Sequence, residues 1–538
     1  MVATLPPIAV LLSASVVDRV SRSLFDDTFA GIHQLEWFDY SLMAPYFTLL
    51  VLLGIYGCHR YVILWRYWRH GRHFKPEPPQ RFEQLPAVTV QLPLYNERFV
   101  VARLLEAVTQ LDYPRHLLQI QVLDDSTDET HVLAERLAGE YRARGFPVEY
   151  HHRKHRTGFK AGALAEGLKT ATGELVAIFD ADFVPPRDFL QRTVHYFTDP
   201  QVGLVQTRWT YLNRDYNLLT EVQAILLDGH FVLEHPARAA TGLFFNFNGT
   251  AGIMRRAMIE DAGGWQHDTL TEDSDLSYRA QLKGWKFVYL PDVECPSELP
   301  VDTYAFQVQQ SRWAKGLTQV ALKLLPQILR SPISWREKLE AIFHLTPNLS
   351  YPAMIAVSAL MLPVMIVRFY MGWFQMLVID FPLIVATFVS ILAFYLASQR
   401  VLYPETWRRA IALMPILIAA GISLSIINSR AVIEALLRIP SSFVRTAKYA
   451  IAGARHPTIE RAKYRRKSGW LPYIELALGT YFLTMIGFCI STYNFLAIPF
   501  LLLFVGGYYW AGLTTLYEEY QGRLRWQRER QISIQAAD

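Results

Sequence analysis

The chain has 538 residues, 51% of them hydrophobic, and a formal net charge of +5. It is too long for one ordinary domain, and its apolar residues fall in long blocks, which excludes a single soluble globule. The positive excess lies mainly beside those blocks, as membrane flanks do, and so does not argue for a nucleic-acid partner. Cys58, Cys295 and Cys489 stand far apart with no CxxC pair, which argues against a disulfide framework or a zinc site.

In chain order, the apolar stretch 5–17 lacks a basic leader and runs into Asp18 and Arg19, so it reads as an interfacial segment rather than a cleaved signal. Residues 43–64 are nearly uncharged and lead into Arg66, Arg69, Arg72 and Lys75, the pattern of a spanning helix with a basic flank. From 76 to 303 charge is ordinary, and short β-branched runs alternate with helical patterns; this predicts an α/β domain with a mostly parallel sheet. Residues 304–345 form an amphipathic interfacial segment. Further apolar blocks follow at 349–367, 377–397, 410–427, 473–492 and 495–513. Each is near the ~20 residues that cross a bilayer core.

The expected organisation is a polytopic membrane protein. It has an N-terminal segment with a first transmembrane helix (1–75), the α/β domain (76–303), interfacial helices (304–345), transmembrane helices (346–428), a basic segment (429–470), transmembrane helices (471–516) and a basic tail (517–538). The basic segment and the tail belong on the cytoplasmic side with the α/β domain. Three apolar blocks precede the basic segment, whereas a return to the cytoplasm needs an even number of crossings. One of the three is therefore expected to be split, re-entrant or not spanning.

Within the domain, strand-like runs at 88–92 (VTVQL), 120–123 (IQVL), 175–179 (LVAIF) and 202–205 (VGLV) are followed by polar clusters or helices, the first two leading to helices from about Glu97 and Asp128. Ligands of open α/β sheets bind outside the carboxyl ends of the strands. There the chain places Tyr95, Asn96 and Glu97, then Asp124, Asp125 and Asp128, then Asp180 and Asp182. Asx turns and helix caps account for any one such cluster. Two carboxylates at i and i+2 repel unless a cation lies between them, and Mg²⁺ or Mn²⁺ suits such a pair when a diphosphate completes its shell. Lys160 heads a helix in RTGFKAGAL, where ammonium and helix dipole both favour a phosphate.

TEDSDL opens another helix, with Thr271 able to cap it and Glu272, Asp273 and Asp275 in its first turn. QQSRW puts Gln309, Arg312 and Trp313 on one helical face, a set suited to a sugar.

Taken in order, YNE, DDSTD, GFKAGAL, FDADF, NGTAG, TED and QQSRW resemble the processive family-2 glycosyltransferases, which include cellulose synthase and the cellulose synthase-like glucomannan and mannan synthases. The wording of DDSTD, GFKAGAL and GTAG is most similar to the glucomannan mannosyltransferase branch. The resemblance implies a GT-A nucleotide-sugar domain that faces the cytoplasm between transmembrane α-helices. It would extend a β-linked, expectedly β-1,4, hexose polysaccharide from UDP-glucose or GDP-mannose and pass the chain across the membrane. Carried over by position, Tyr95, Glu97, Asp124, Asp125, Lys160, Asp180 and Arg312 hold the donor, and Asp180 and Asp182 hold Mg²⁺ or Mn²⁺. Asp273 is the general base, and Gln309, Trp313 and Glu272 meet the acceptor.

The family's gating loop, FxVTxKG, is matched by FVRTAKY, which keeps Phe443, Thr446 and Lys448 in register but has Arg445 and Tyr449 for Val and Gly. Implied partners are the donor, the growing β-glycan, membrane lipids and accessory envelope or export subunits, in a plasma, inner or Golgi-type membrane. The alternatives are a non-processive enzyme acting on a lipid acceptor and a non-catalytic transporter that keeps the fold. The complete QQSRW and the several helices after the domain disfavour the first; intact Asp180, Asp182, Asp273 and Trp313 disfavour the second.

Overall fold

The computed structural model describes residues 33–370, 373–440, 446, 448–453 and 469–535. Its contacts divide into two compact units, one of Val62–Asn348 with Glu434–Ile459, the other of Met1–Tyr61, Leu349–Ile433 and Glu460–Asp538. Helix α1 (Trp37–Arg69) opens the described chain.

The first unit is built on seven strands. They alternate at first with helices: β1 (Val88–Leu94), α2 (Val101–Thr109), β2 (Leu118–Asp124), α3 (Thr130–Ala143), β3 (Val148–His152), α4 (Phe159–Thr170) and β4 (Leu175–Ile178). Then come β5 (Val202–Tyr211), α5 (Leu218–Gly229), β6 (Gly252–Arg255), α6 (Glu272–Leu282), β7 (Lys286–Ser297), α7 (Thr303–Arg330) and α8 (Trp335–Leu345). The order across the sheet is β3-β2-β1-β4-β6-β5-β7. β6 runs antiparallel to both its neighbours and every other pairing is parallel, so β6 alone is reversed.

β1 and β2 are buried almost end to end, because helices cover both faces of the sheet. One apolar layer joins Val88, Val90 and Leu92 to Leu104, Leu105 and Ala134; the other joins Val176 and Ile178 to Leu164, Met258 and Leu276. The polar residues that interrupt VTVQL are satisfied across the ladder. Thr89 donates to Gln119 at 2.8 Å and Gln91 donates to Gln121 at 3.0 Å.

A buried chain of charges also runs through this unit. Arg66 pairs with Glu340, and Arg238 bonds Glu340 at 3.2 Å and Glu234 at 3.4 Å. Glu234 meets His230 at 2.8 Å, and His230 reaches the Asn248 side chain at 3.1 Å. Residues His230–Glu234 form a single π-helical turn, the irregularity that lets these side chains converge.

The other unit holds α9 (Ser350–Phe369), α10 (Trp373–Leu402), α11 (Arg409–Ser423), α12 (Ser425–Leu436, which ends in the first unit), α13 (Leu471–Ser491) and α14 (Ile498–Gln535). Met365, Ile422, Phe482, Met485 and Tyr508 form its main core. Among the described residues, six helices are long and apolar enough to cross a membrane: Trp37–Arg69, Pro347–Phe369, Pro382–Leu402, Arg409–Leu436, Leu471–Ser491 and Phe495–Gln521. They coincide with the six expected blocks. Of the three blocks that precede the basic segment, the third is interrupted at Leu424, between α11 and α12.

Candidate active site

The loops after β1 and β2 are tied together at the carboxyl edge of the sheet. Asn96 adopts φ 57°, its N–H donates to Ser126 at 2.8 Å, and its side-chain oxygen accepts from the Thr127 N–H at 2.8 Å. This left-handed turn uses the residues that were expected to start a helix, so α2 begins at Val101 rather than near Glu97.

Of the two neighbouring aspartates after β2, Asp125 lines the cavity and Asp124 does not. Asp124 is fully buried, accepts from the Ser126 N–H at 2.8 Å and from the Tyr150 hydroxyl at 2.8 Å, and so closes an Asx turn. Its carboxylate, expected on the donor, is thus engaged by Ser126 and Tyr150. Asp125 accepts from Arg153 Nε at 2.7 Å and Nη2 at 2.6 Å, a forked pair that fixes its carboxylate. Arg156 lies 3.7 Å from Asp125 and stacks 3.4 Å from the centroid of the Tyr95 ring. Sequence reasoning missed both arginines, although the basic run HHRKHR directly before GFKAGAL was a signal for them.

The carboxylates of DAD each hold an ammonium. Lys160, in the first turn of α4, donates to Asp180 Oδ1 at 2.6 Å and to the Gly249 carbonyl at 2.8 Å. Lys448 donates to Asp182 Oδ2 at 2.7 Å and to the Glu298 carbonyl at 2.7 Å. Burial works against the charge on Lys160, but Asp180 and Glu272 outweigh it and hold its pKa above the ordinary value. Gly249 adopts φ +82°, and a Cβ there would lie 3.0 Å from Asp273 Oδ2 and 3.5 Å from Lys160 Nζ. The glycine of NGTAG thus supplies a left-handed turn and lets the Asp273 carboxylate come close to the backbone.

TED opens α6 as expected, but its capping differs. Thr271 makes no side-chain cap bond, and its buried hydroxyl has no partner among the described residues. The reason is the neighbouring helix: a Cβ on Gly316 of α7 would lie 2.5 Å from Thr271 Cγ2, so α7 rests directly on this residue. Leu270 donates to Gln319 at 2.9 Å, and Lys323 meets Asp275 at 2.8 Å. Asp275, fully buried and also paired with Arg279 at 2.7 Å, braces α6 against α7 and does not line the cavity.

That docking brings Gln309, Arg312 and Trp313 of α7 to the same cavity as Tyr95, Glu97, Lys160, Asp180, Asp182, Glu272, Asp273, Thr446 and Lys448. Trp209 and Tyr211 of β5, Asn248 of NGTAG and Glu298 also line it; Trp209, Tyr211 and Glu298 were not singled out from sequence. Phe443 lies outside the described residues. Burial, with Glu272 beside it, pushes the Asp273 carboxyl up to about 7, and burial also raises that of Glu272.

A nearly all-parallel sheet with one reversed strand, bearing acidic clusters at its strand ends and a cavity beyond them, has the arrangement of a GT-A fold. Residues 86–316 match the family model described as Glycosyltransferase like family 2. The Arabidopsis thaliana protein named glucomannan 4-beta-mannosyltransferase 2 is 43% identical over 347 residues, 59% of this chain and 65% of its own length. Glucomannan 4-beta-mannosyltransferase 1 of Oryza sativa subsp. japonica is 42% identical over 274 residues, 50% and 53% of the two chains. The match therefore spans less than two thirds of either relative. Among solved structures, mannosyltransferase PcManGT from Pyrobaculum calidifontis, in complex with GDP-Man and Mn²⁺, is 25% identical with a TM-score of 0.46, covering 67% of this chain and 99% of that one.

Proposed function

We propose that this chain is a membrane-embedded, inverting and processive hexosyltransferase that extends a β-1,4-linked, mannose-containing polysaccharide and passes it across the membrane. The observation that carries this reading is the meeting of DAD, the TED aspartate and the QQSRW face in one cavity. The names of the relatives, glucomannan 4-beta-mannosyltransferases, favour mannose as the transferred sugar and GDP-mannose as the donor over UDP-glucose. The domain and the basic flanks lie on the cytoplasmic side.

Asp180 and Asp182 fit a hard divalent cation. Each carboxylate already holds a positive charge, Lys160 on Asp180 and Lys448 on Asp182, and Mg²⁺ or Mn²⁺ would need only one or two carboxylates beside a diphosphate. Such an ion, when bound, supplies charge neutralisation for the leaving diphosphate. Lys160, Lys448 and Arg312 surround the same space and hold the diphosphate oxygens. Tyr95, Asp125 and Arg156 form the nucleoside end of the cavity.

Trp313 offers an indole face to the acceptor sugar and Gln309 offers hydrogen bonds. Asp273 takes the proton of the acceptor hydroxyl as its oxygen bonds to the anomeric carbon. The bond to the diphosphate breaks on the opposite face, so an α-linked donor becomes a β-linked product.

Because the base must be ionised, the pKa of Asp273 sets the acid limb of the pH profile. A carboxyl raised to about 7 is protonated below that pH and cannot accept a proton. The value of kcat/KM is expected to fall about tenfold per pH unit below about 7 and to level off above it. A flat profile across this range would remove Asp273 from the role.

The reading is tested by incubating purified full-length protein with GDP-mannose or UDP-glucose and Mg²⁺ or Mn²⁺. The expected outcome is release of the nucleoside diphosphate from GDP-mannose, with a polymer that β-mannanase digests. A single glycolipid product would replace the processive reading with the lipid-acceptor one.

A further inference from the structure

The cavity wall contains a carboxylate, Glu298, that is bonded to a distant segment of the chain. Glu298, just beyond β7, is 2% exposed. Its Oε1 accepts from the Tyr449 N–H at 2.7 Å, and its Oε2 accepts from the Ile451 N–H at 3.2 Å and from Arg103 Nη2 at 3.2 Å. Its own carbonyl accepts from Lys448 Nζ at 2.7 Å, and the same ammonium reaches Asp182.

One residue therefore holds a segment 150 positions later in the chain by two backbone amides and one side chain. Thr446, Lys448, Tyr449 and Ile451 are all more than nine-tenths buried, and Gly453 ties the far end by donating to the Leu212 carbonyl at 2.8 Å. A buried carboxylate is costly unless fully bonded, and here its partners are Arg103 and two amides just after the cavity lysine. Glu298 stands just past the sheet ladder, which ends at Ser297.

We propose that Glu298 is the positioning residue that anchors Lys448, Tyr449 and Ile451 and so fixes Lys448 in the cavity wall beside Asp182, ready to meet the donor diphosphate. The proposal rests on the reading of this cavity as the donor site. Glu298 acts through Lys448, and its effect is on donor affinity.

Glu298→Gln keeps the shape but turns an NH₂ toward one of the two backbone N–H groups, donor against donor. In the full-length protein, the donor KM is expected to rise about tenfold while kcat stays within about threefold. Trypsin cleavage after Lys448, followed by fragment mass, should accelerate about tenfold, because local opening exposes the lysine. Lys448→Ala should raise KM similarly, and the double variant should be no worse than Lys448→Ala alone, since both changes remove one device. Should Glu298→Gln fail to accumulate as folded protein, Glu298→Asp, which keeps the charge and shortens the reach, is held to the same two measurements. Unchanged KM and cleavage, or effects that add fully to those of Lys448→Ala, would overturn the assignment. The cleavage measurement needs no substrate: faster cleavage in a protein that turns over no nucleotide sugar would support the seating and defeat the functional reading alone.

Discussion

Asp273→Asn is expected to abolish polymer synthesis, with kcat reduced by about 10²–10⁴, while affinity for the nucleoside diphosphate stays within about twofold. The amide fills the same space and can still accept from the Ser274 N–H, which Asp273 does at 2.7 Å, so the start of α6 keeps its geometry. What is lost is the capacity to take a proton. Asp273 stands beside Gly249 and Lys160, whereas Arg156 stacks on the Tyr95 ring. Isothermal titration of GDP, alongside polymer assays, separates the two effects. A variant that keeps more than about a tenth of wild-type kcat would show that another group removes the proton.

Asp182→Asn should be nearly as damaging, with the opposite signature. The variant loses the charge that a divalent ion requires and leaves the buried Lys448 ammonium without its carboxylate, so both donor affinity and turnover are expected to fall, together by about 10³ in kcat/KM. GDP binding measured as a function of Mn²⁺ is the discriminating experiment. Wild-type protein should bind GDP more tightly as Mn²⁺ rises, and Asp182→Asn should show a weak dependence or none. Retention of the full Mn²⁺ effect would shift metal binding to other groups. The pair of variants thus separates proton transfer from donor capture within one cavity.

Much of this architecture was legible from local pattern. VTVQL, IQVL and LVAIF are strands because apolar β-branched runs end in turn-forming residues, and they appear as β1, β2 and β4. QQSRW was readable because i, i+3 and i+4 share a helical face wherever the helix lies, and all three residues line the cavity. Local sequence does not separate Asp124 from Asp125, because neighbouring residues at a strand end point to different surroundings. Only the pairing of β2 with β3, which brings Tyr150 against Asp124, decides which aspartate is consumed. Thr271 had the right sequence for a cap, but α7 occupies its surroundings, a contact made by Gly316 from 45 residues away. Arg153, Arg156 and Glu298 escaped notice for a similar reason: their partners are set by long-range packing, where periodicity carries no information.

The buried succession Arg66, Glu340, Arg238, Glu234 has a consequence for descent. Glu340 and Arg238 are each 3% exposed, and each holds two partners of opposite sign. Neutralising one member strands a charge in the interior at a cost of roughly 3–5 kcal/mol, whereas exchanging complementary members together for apolar residues is nearly neutral. Single-step mutational paths through these four positions are therefore closed. Paired replacement of Arg238 and Glu340, the two most buried members, is expected to be tolerated better than replacement of either alone.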